Sequence, residues 1–182
     1  AIRESGRDRD ILRVEPLRAP MHLALLVDTS VANGAPDETF RAAVLAFIDR
    51  VAPGSHVALY ACGDRAARVL AFSPDPAQVR DAASSMFGWG HQRSLLIDTI
   101  DLALRDFEII EASRPVILAI SSESPEASTK TAGGVIRRLI AQSIALHAIS
   151  VMTAGSSTVG GVGGDIPTKS RRLGGMIAAG EG

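Results

Sequence analysis

The stretch HLALLVDTSVA, residues 22–32, is an apolar run that ends abruptly in a carboxylate and two hydroxyls. A run of this length, bounded by turn residues, is typical of a strand buried on both faces in a parallel sheet covered by helices. In open α/β sheets, ligands bind just beyond the carboxyl ends of the strands. Asp28 and Ser30 therefore lie where a site is expected, and their spacing of two places both side chains on the same side of an extended segment.

Two interpretations of this strand end remain open at this point. A carboxylate and a hydroxyl suit a hard cation such as Mg²⁺, which prefers oxygen ligands. Alternatively, Asp28 accepts hydrogen bonds from nearby loop amides and holds no ligand. The segment alone favours neither interpretation.

The composition excludes several classes of protein. With 182 residues the chain is predicted to form one domain with a sizeable core. Lys and Arg number 19 against 20 Asp and Glu, so there is no electrostatic reason to expect nucleic acid or an anionic membrane as a partner. The single cysteine, Cys62, excludes a disulfide framework within one chain. No apolar stretch approaches the length of a membrane span, so no membrane insertion is expected.

Hydrophobic patterning divides the chain into a short lead-in and one domain. Residues 1–19 are predicted to be a polar, charged lead-in or linker, with a candidate edge strand at 11–17, and residues 20–182 to be the domain. The predicted strands are 22–28, 56–62, 67–72, 116–120 and 146–152. The predicted helices are 35–51, 73–86, 94–111, 134–145 and 167–179, with a Gly/Ser/Thr-rich loop at 153–165.

This order of elements predicts an α/β fold. Strands that alternate with helices form a doubly wound, mostly parallel sheet with helices on both faces. The strands at 56–62 and 67–72 are joined by a tight turn, which predicts a hairpin and hence one antiparallel edge strand. The whole is a Rossmann-like three-layer sandwich.

The element order and the first strand end resemble those of the von Willebrand factor A domain family. That family carries a metal-ion-dependent adhesion site whose first loop reads Asp-x-Ser-x-Ser. The matching residues are Asp28, Ser30 and Ala32, so the second serine is absent. The family's second loop supplies a threonine at the start of a long helix, and Ser94 occupies that place with its hydroxyl retained.

The family's third loop supplies an aspartate after the fourth core strand. Ser122 falls at that position, and Glu123 follows one residue later as a substitute. The resemblance therefore implies a degenerate metal site in which Asp28, Ser30 and Ser94 hold Mg²⁺ or Mn²⁺ weakly, with Ser122 or Glu123 as a further candidate. The alternative is a domain that kept the fold and lost the metal. A cation site with fewer charged ligands has a lower affinity.

The resemblance also implies a function: a non-catalytic module that binds a protein ligand, through an acidic residue of that ligand, at the loops around the site. Candidate partner-binding residues are Trp89, His91 and Arg93, on the loop before Ser94. An exposed Trp89 would be a binding anchor, whereas the alternative is that it covers the core. For His91 and Arg93 the alternative is a solvated loop.

Two other functions compete with this one. The first is a hydrolase of the doubly wound class, for instance a phosphatase, that uses Asp28. The second is a purely structural domain of an envelope protein. The polar lead-in and the first strand look most like bacterial, extracytoplasmic members of an acidobacterial-type subgroup, which implies a secreted or envelope location. The family's last edge strand would then lie beyond Gly182.

Overall fold

The computed structural model of this chain describes residues 2–4, 6–13, 19–30, 38–87, 93–122 and 126–151. Its strands are β1 (Ile2–Glu4), β2 (Arg7–Arg9), β3 (Met21–Asp28), β4 (Ser55–Cys62), β5 (Ala66–Ser73), β6 (Pro115–Ser122) and β7 (Ala145–Val151). Its helices are α1 (Glu38–Val51), α2 (Pro76–Met86), α3 (Leu96–Ile109) and α4 (Ala132–Ala141).

Five of the strands form one sheet in the order β5-β4-β3-β6-β7. All neighbouring pairs are parallel except β4 and β5, which are antiparallel. The central strand β3 pairs with β4 along its whole length, from Met21 opposite Ser55 to Asp28 opposite Cys62. The prediction of a mostly parallel sheet with one antiparallel edge strand is confirmed.

The side chains of the sheet alternate between two hydrophobic cores. Leu23, Leu25 and Val27 of β3 pack in the core that contains residues of α1 and α2. Ala24 and Leu26 pack in the opposite core, which contains residues of α3 and α4. Because successive strand residues point to opposite faces, β3 must be apolar from Leu23 to Val27 to fill both cores. This explains the continuous apolar run in the sequence.

Helices α2 and α4 begin at side-chain caps. The Asp75 carboxylate accepts a hydrogen bond of 3.0 Å from the Ala77 amide, and Pro76 occupies the first turn. The Thr131 hydroxyl accepts one of 3.3 Å from the Gly134 amide. Each cap satisfies one of the amide groups that a helix start leaves without a partner.

A buried polar contact joins the sheet to α3. The Tyr60 hydroxyl on β4 donates a hydrogen bond of 2.7 Å to Asp106 Oδ2. Arg68 on β5 donates one of 2.9 Å to the other oxygen of the same carboxylate. The pKa of Tyr60 is raised, first by burial and then by the hydrogen bond to Asp106 and its negative charge.

The N-terminal part differs from the prediction. Residues 2–4 and 7–9 form a separate two-stranded antiparallel sheet, with Gly6 at φ 75° in the turn. The edge strand predicted at 11–17 is wrong over residues 11–13, which are in no strand. Pro16, which has no amide hydrogen, disfavours a strand in this stretch of the sequence.

Towards the C-terminus, both ends of one predicted helix differ from the prediction. The helix predicted at 134–145 begins at Ala132 and ends at Ala141, because Thr131 caps it and Ser143 has a positive φ of 52°. The predicted loop 153–165 and the predicted helix 167–179 lie outside the described residues. Within the described ranges, no helix has the length and apolar character needed to cross a bilayer.

Candidate functional site

The carboxyl end of β3 carries a buried carboxylate held by a serine. The Ser30 amide donates a hydrogen bond of 3.0 Å to Asp28 Oδ1, and the Ser30 hydroxyl donates one of 2.6 Å to the same oxygen. Asp28 is 4% exposed. The structure therefore brings together the two residues that the spacing predicted to lie on one side of the strand. One feature of the alternative interpretation is also present, because the Asp28 carboxylate accepts a hydrogen bond from the Ser30 amide.

The alternation of β3 decides which face Asp28 belongs to. It is in phase with Ala24 and Leu26, whose core contains α3 and α4. Ser94 lies two residues before the start of α3, the helix that packs in this core. It is 0% exposed, and its hydroxyl has no hydrogen-bond partner among the described residues.

The segment before α3 is anchored to the end of β4. The Arg93 amide donates a hydrogen bond of 2.9 Å to Asp64 Oδ1. Asp64 lies two residues beyond Cys62, the residue paired with Asp28. This contact connects Ser94 to the same end of the sheet as Asp28.

A further carboxylate in this region was missed by the sequence analysis. Glu126, in the loop after β6, is 8% exposed and forms a parallel β-bridge with Ser94. The Ala127 amide donates a hydrogen bond of 2.9 Å to the Ser94 carbonyl oxygen. Glu126 Oε1 accepts one of 2.9 Å from the Ser128 amide, whereas Oε2 is buried with no partner among the described residues.

Asp98 fixes the loop that follows Glu126. Its two carboxylate oxygens accept hydrogen bonds from the amides of Thr129 (3.1 Å) and Lys130 (2.8 Å). In return, the Ser128 hydroxyl accepts a hydrogen bond of 3.0 Å from the Asp98 amide. The first turn of α3 and the loop after β6 therefore form one connected unit.

The other predicted site residues are only partly described. Ser122 is the last residue of β6, and its side chain lies outside what the structure describes. Glu123, Trp89 and His91 also lie outside the described residues. Arg93 is exposed, as a partner-binding residue must be. Their roles stay predictions.

The side-chain oxygens described at this edge of the sheet suit a hard cation. In the ranges that the structure covers, no group of three or more His, Cys, Asp or Glu side chains is placed to hold a metal. The available ligands are instead a mixture of carboxylates and hydroxyls, all oxygens, which Mg²⁺ and Mn²⁺ accept. Thr29, Ser94 and Glu126, all at this end of the sheet, each have a buried side-chain oxygen with no hydrogen-bond partner among the residues that the structure describes. Unsatisfied buried oxygens are costly, and a bound ion is one way to satisfy them.

Two of the histidines, His22 and His56, lie at the opposite end of the sheet. His22 and His56 are paired residues near the starts of β3 and β4, with ring centroids 4.7 Å apart. Burial, and then the neighbouring His56, lower the pKa of His22. His22 and His56 are therefore remote from Asp28, the last residue of β3.

The five-stranded sheet, its helices and the strand-end site define a von Willebrand factor A fold. Solved structures with the same fold include the conserved hypothetical protein BatB from Bacteroides thetaiotaomicron, with a TM-score of 0.64 and 15% identity over 89% of this chain and 87% of that one. An aerotolerance-related membrane protein from Bacteroides fragilis also has a TM-score of 0.64, with 14% identity over 89% of each chain.

Manganese-loaded TRAP protein from Plasmodium vivax is a third similar structure. Its TM-score is 0.61 at 12% identity, over 74% of this chain and 58% of that one, so the chain spans little more than half of that structure. No family model matches the sequence, and no curated protein matches it significantly. The structural likenesses establish the fold.

Proposed function

We propose that this chain is a non-catalytic interaction module that binds a protein partner at the carboxyl edge of its sheet. The observation that carries the proposal is the buried Asp28–Ser30 pair, together with the buried Ser94 hydroxyl, which lies just before α3 and has no hydrogen-bond partner among the described residues. Oxygen groups at the end of a central parallel strand are placed where α/β sheets bind ligands.

Asp28, Ser30 and Ser94 would hold the divalent cation, Mg²⁺ or Mn²⁺. A bound cation would supply a positive charge that attracts a carboxylate of the partner. The Ser30 hydroxyl donates a hydrogen bond to Asp28, and its oxygen can act as an electron-pair donor to the cation. The manganese-loaded state of the TRAP structure supports metal binding within this fold.

The partner is proposed to present an acidic residue. Exposed Arg93 adds a positive charge beside the site, and its backbone is fixed by Asp64. A guanidinium at an interface forms bidentate hydrogen bonds with a carboxylate. Trp89 and His91 belong to the same loop in the sequence and are proposed to contribute to the surface.

A non-catalytic role is part of the proposal. Asp28 Oδ1 already accepts two hydrogen bonds from Ser30, which lower the nucleophilicity of that oxygen. We expect no hydrolysis of p-nitrophenyl phosphate with Mg²⁺ or Mn²⁺ present. Phosphatase activity in the wild type that disappears in Asp28→Ala would contradict a purely binding role.

An extracytoplasmic location is proposed on the same basis. It rests on the similarity in fold to the aerotolerance-related membrane protein. Fractionation of the source cells with an antibody against this chain tests it. Recovery of the chain with the cytoplasmic markers would contradict the proposed location.

Panning a random peptide library tests the interaction itself. The chain is immobilised with 5 mM Mn²⁺ (about millimolar, to populate a weak site), and bound peptides are eluted with EDTA. We expect the enriched peptides to share an Asp or Glu at one position and to bind Asp28→Ala at least tenfold more weakly. Peptides that bind equally well in EDTA and to Asp28→Ala would contradict cation-mediated recognition.

A further inference from the structure

Glu126 and Ser94 present an unexplained pair of buried oxygens. Their backbones are paired in a β-bridge. Ser94 Oγ and Glu126 Oε2 are both buried, and neither has a hydrogen-bond partner among the described residues. These two oxygens belong to residues that are paired with each other, so their lack of partners among the described residues is considered together.

The energetic cost of burying these two oxygens without partners favours a positively charged ligand beside them. A carboxylate oxygen buried without a partner loses its hydration and gains nothing in return. A hydroxyl can donate one hydrogen bond, but Ser94 Oγ donates none to any described residue. A hard cation satisfies a carboxylate and a hydroxyl together, because both ligate through oxygen.

The charge balance at the end of β3 also favours a second acidic ligand. Asp28 alone supplies one negative charge, which leaves a divalent cation half neutralised. The carboxyl ends of β3, β4 and β6 are neighbours in the sheet, and Glu126 follows β6 in the chain. A second carboxylate at this edge brings the ligand charge to −2, which matches Mg²⁺ or Mn²⁺.

We infer that Glu126 is the second acidic ligand of the cation site, and that it acts with Ser94 in place of the aspartate expected immediately after β6. This inference rests on the proposed function. It adds Glu126, which the sequence pattern did not indicate as a ligand. Asp98 supports it by fixing the loop, because its carboxylate holds the amides of Thr129 and Lys130. Glu126 is thereby held against Ser94 before any cation binds.

The inference is tested by Mn²⁺ affinity, measured from the electron paramagnetic resonance signal of free Mn²⁺ during titration. Glu126→Gln keeps the size of the side chain and an oxygen that can accept from the Ser128 amide, but removes the charge. We expect it to weaken Mn²⁺ binding at least tenfold. The matched control is Glu111→Gln, because Glu111 is exposed beyond the opposite end of α3; its affinity should stay within twofold of the wild type.

Thermal unfolding distinguishes a ligand from a structural residue. In EDTA, Glu126→Gln should melt at the same temperature as the wild type or higher, because it removes a buried charge that has an unsatisfied oxygen. With Mn²⁺ the order should reverse, because only the wild type gains the full binding energy. A merely structural Glu126 would give the same difference in both conditions.

Each result decides between the two proposals. Wild-type affinity in Glu126→Gln, together with loss of binding in Asp28→Ala, would overturn the role of Glu126 and leave the proposed cation-mediated function intact. A wild type that binds no Mn²⁺ at 10 mM (roughly the weakest useful range) would overturn the site itself. If Glu126→Gln does not fold, Glu126→Asp replaces it: the charge is kept but the shorter side chain withdraws the carboxylate, and unchanged Mn²⁺ affinity there would contradict the inference.

Discussion

The Tyr60 hydroxyl on β4 donates a hydrogen bond of 2.7 Å to Asp106 on α3, inside the core that also contains Leu96 and Ile97 at the start of α3. The contact fixes α3 to the sheet and so positions the segment before it. Removing the hydroxyl leaves a buried carboxylate short of one hydrogen bond. We therefore expect Tyr60→Phe to lower the free energy of unfolding by about 1.5–3 kcal/mol in a urea titration.

The matched comparison for this variant is Arg68→Gln. Arg68 donates to the same carboxylate, but about half of its side chain is exposed, so solvent screens the interaction. Its loss should lower the free energy of unfolding by about 0–1 kcal/mol. A Tyr60→Phe protein as stable as the wild type would show that Asp106 finds another donor.

The same tyrosine predicts how the protein behaves in alkali. Its folded-state pKa is raised by burial and by Asp106, so the unfolded chain releases its proton first. The corresponding stability is fully present below about pH 10 and is lost as pH rises above that value. Because the chain has one tyrosine, absorbance at 295 nm reports it alone. We expect tyrosinate absorbance to appear together with unfolding, whereas its appearance in the folded protein would contradict the prediction.

His22 predicts an effect of mild acid at the opposite end of the sheet. Burial and His56 lower its pKa in the folded state, so the unfolded chain binds the proton more readily. Stability is therefore present above about pH 6.5 and falls as pH decreases below that value, until the folded form also titrates. We expect His22→Phe to lose less stability than the wild type between pH 7 and pH 5, measured by urea unfolding.

The control for His22 is His147→Phe, since His147 is exposed on β7. This variant should keep the pH dependence of the wild type. Equal pH dependence in His22→Phe and the wild type would assign the acid sensitivity to other groups.

Asp98 predicts local dynamics of the loop after Glu126. Its carboxylate accepts the amide hydrogens of Thr129 and Lys130. We expect Asp98→Ala to accelerate hydrogen exchange at these two amides roughly tenfold, equivalent to about 1.4 kcal/mol of lost local stability. Asp98→Asn keeps one acceptor oxygen and should have a smaller effect. Unchanged exchange in Asp98→Ala would mean that the loop is held by other contacts.

The Ser30 hydroxyl is an uncharged ligand of the proposed cation site, and its contribution to Mn²⁺ affinity can be measured. Ser30→Ala removes the hydroxyl that contacts Asp28 but keeps the backbone amide that donates to the same oxygen. We expect Mn²⁺ affinity to fall by roughly 3- to 10-fold, the equivalent of one net hydrogen bond. Ser84→Ala, on the surface of α2, is the control and should bind like the wild type. Full affinity in Ser30→Ala would exclude Ser30 from the site.

The sequence predicts the sheet well because the cause is local. The apolar run before Asp28 requires burial on both faces, and each core strand ends at turn residues. The environment of Glu126 has a different origin. In the sequence it is an acidic residue in a polar loop, a setting typical of solvent exposure. Its burial comes from pairing with Ser94, a contact between distant parts of the chain that no local pattern records.

The alternation of β3 between two cores also restricts how this protein can evolve. Inserting or deleting a single residue within Met21–Asp28 would exchange the two sets of core side chains and turn Asp28 towards the helices α1 and α2. Changes of length in this strand are therefore excluded, and the recognition properties of the edge can diverge only by substitution or by remodelling of the connecting loops. The scaffold is conservative in length and permissive in loop chemistry, which makes those loops the natural place to graft a new specificity.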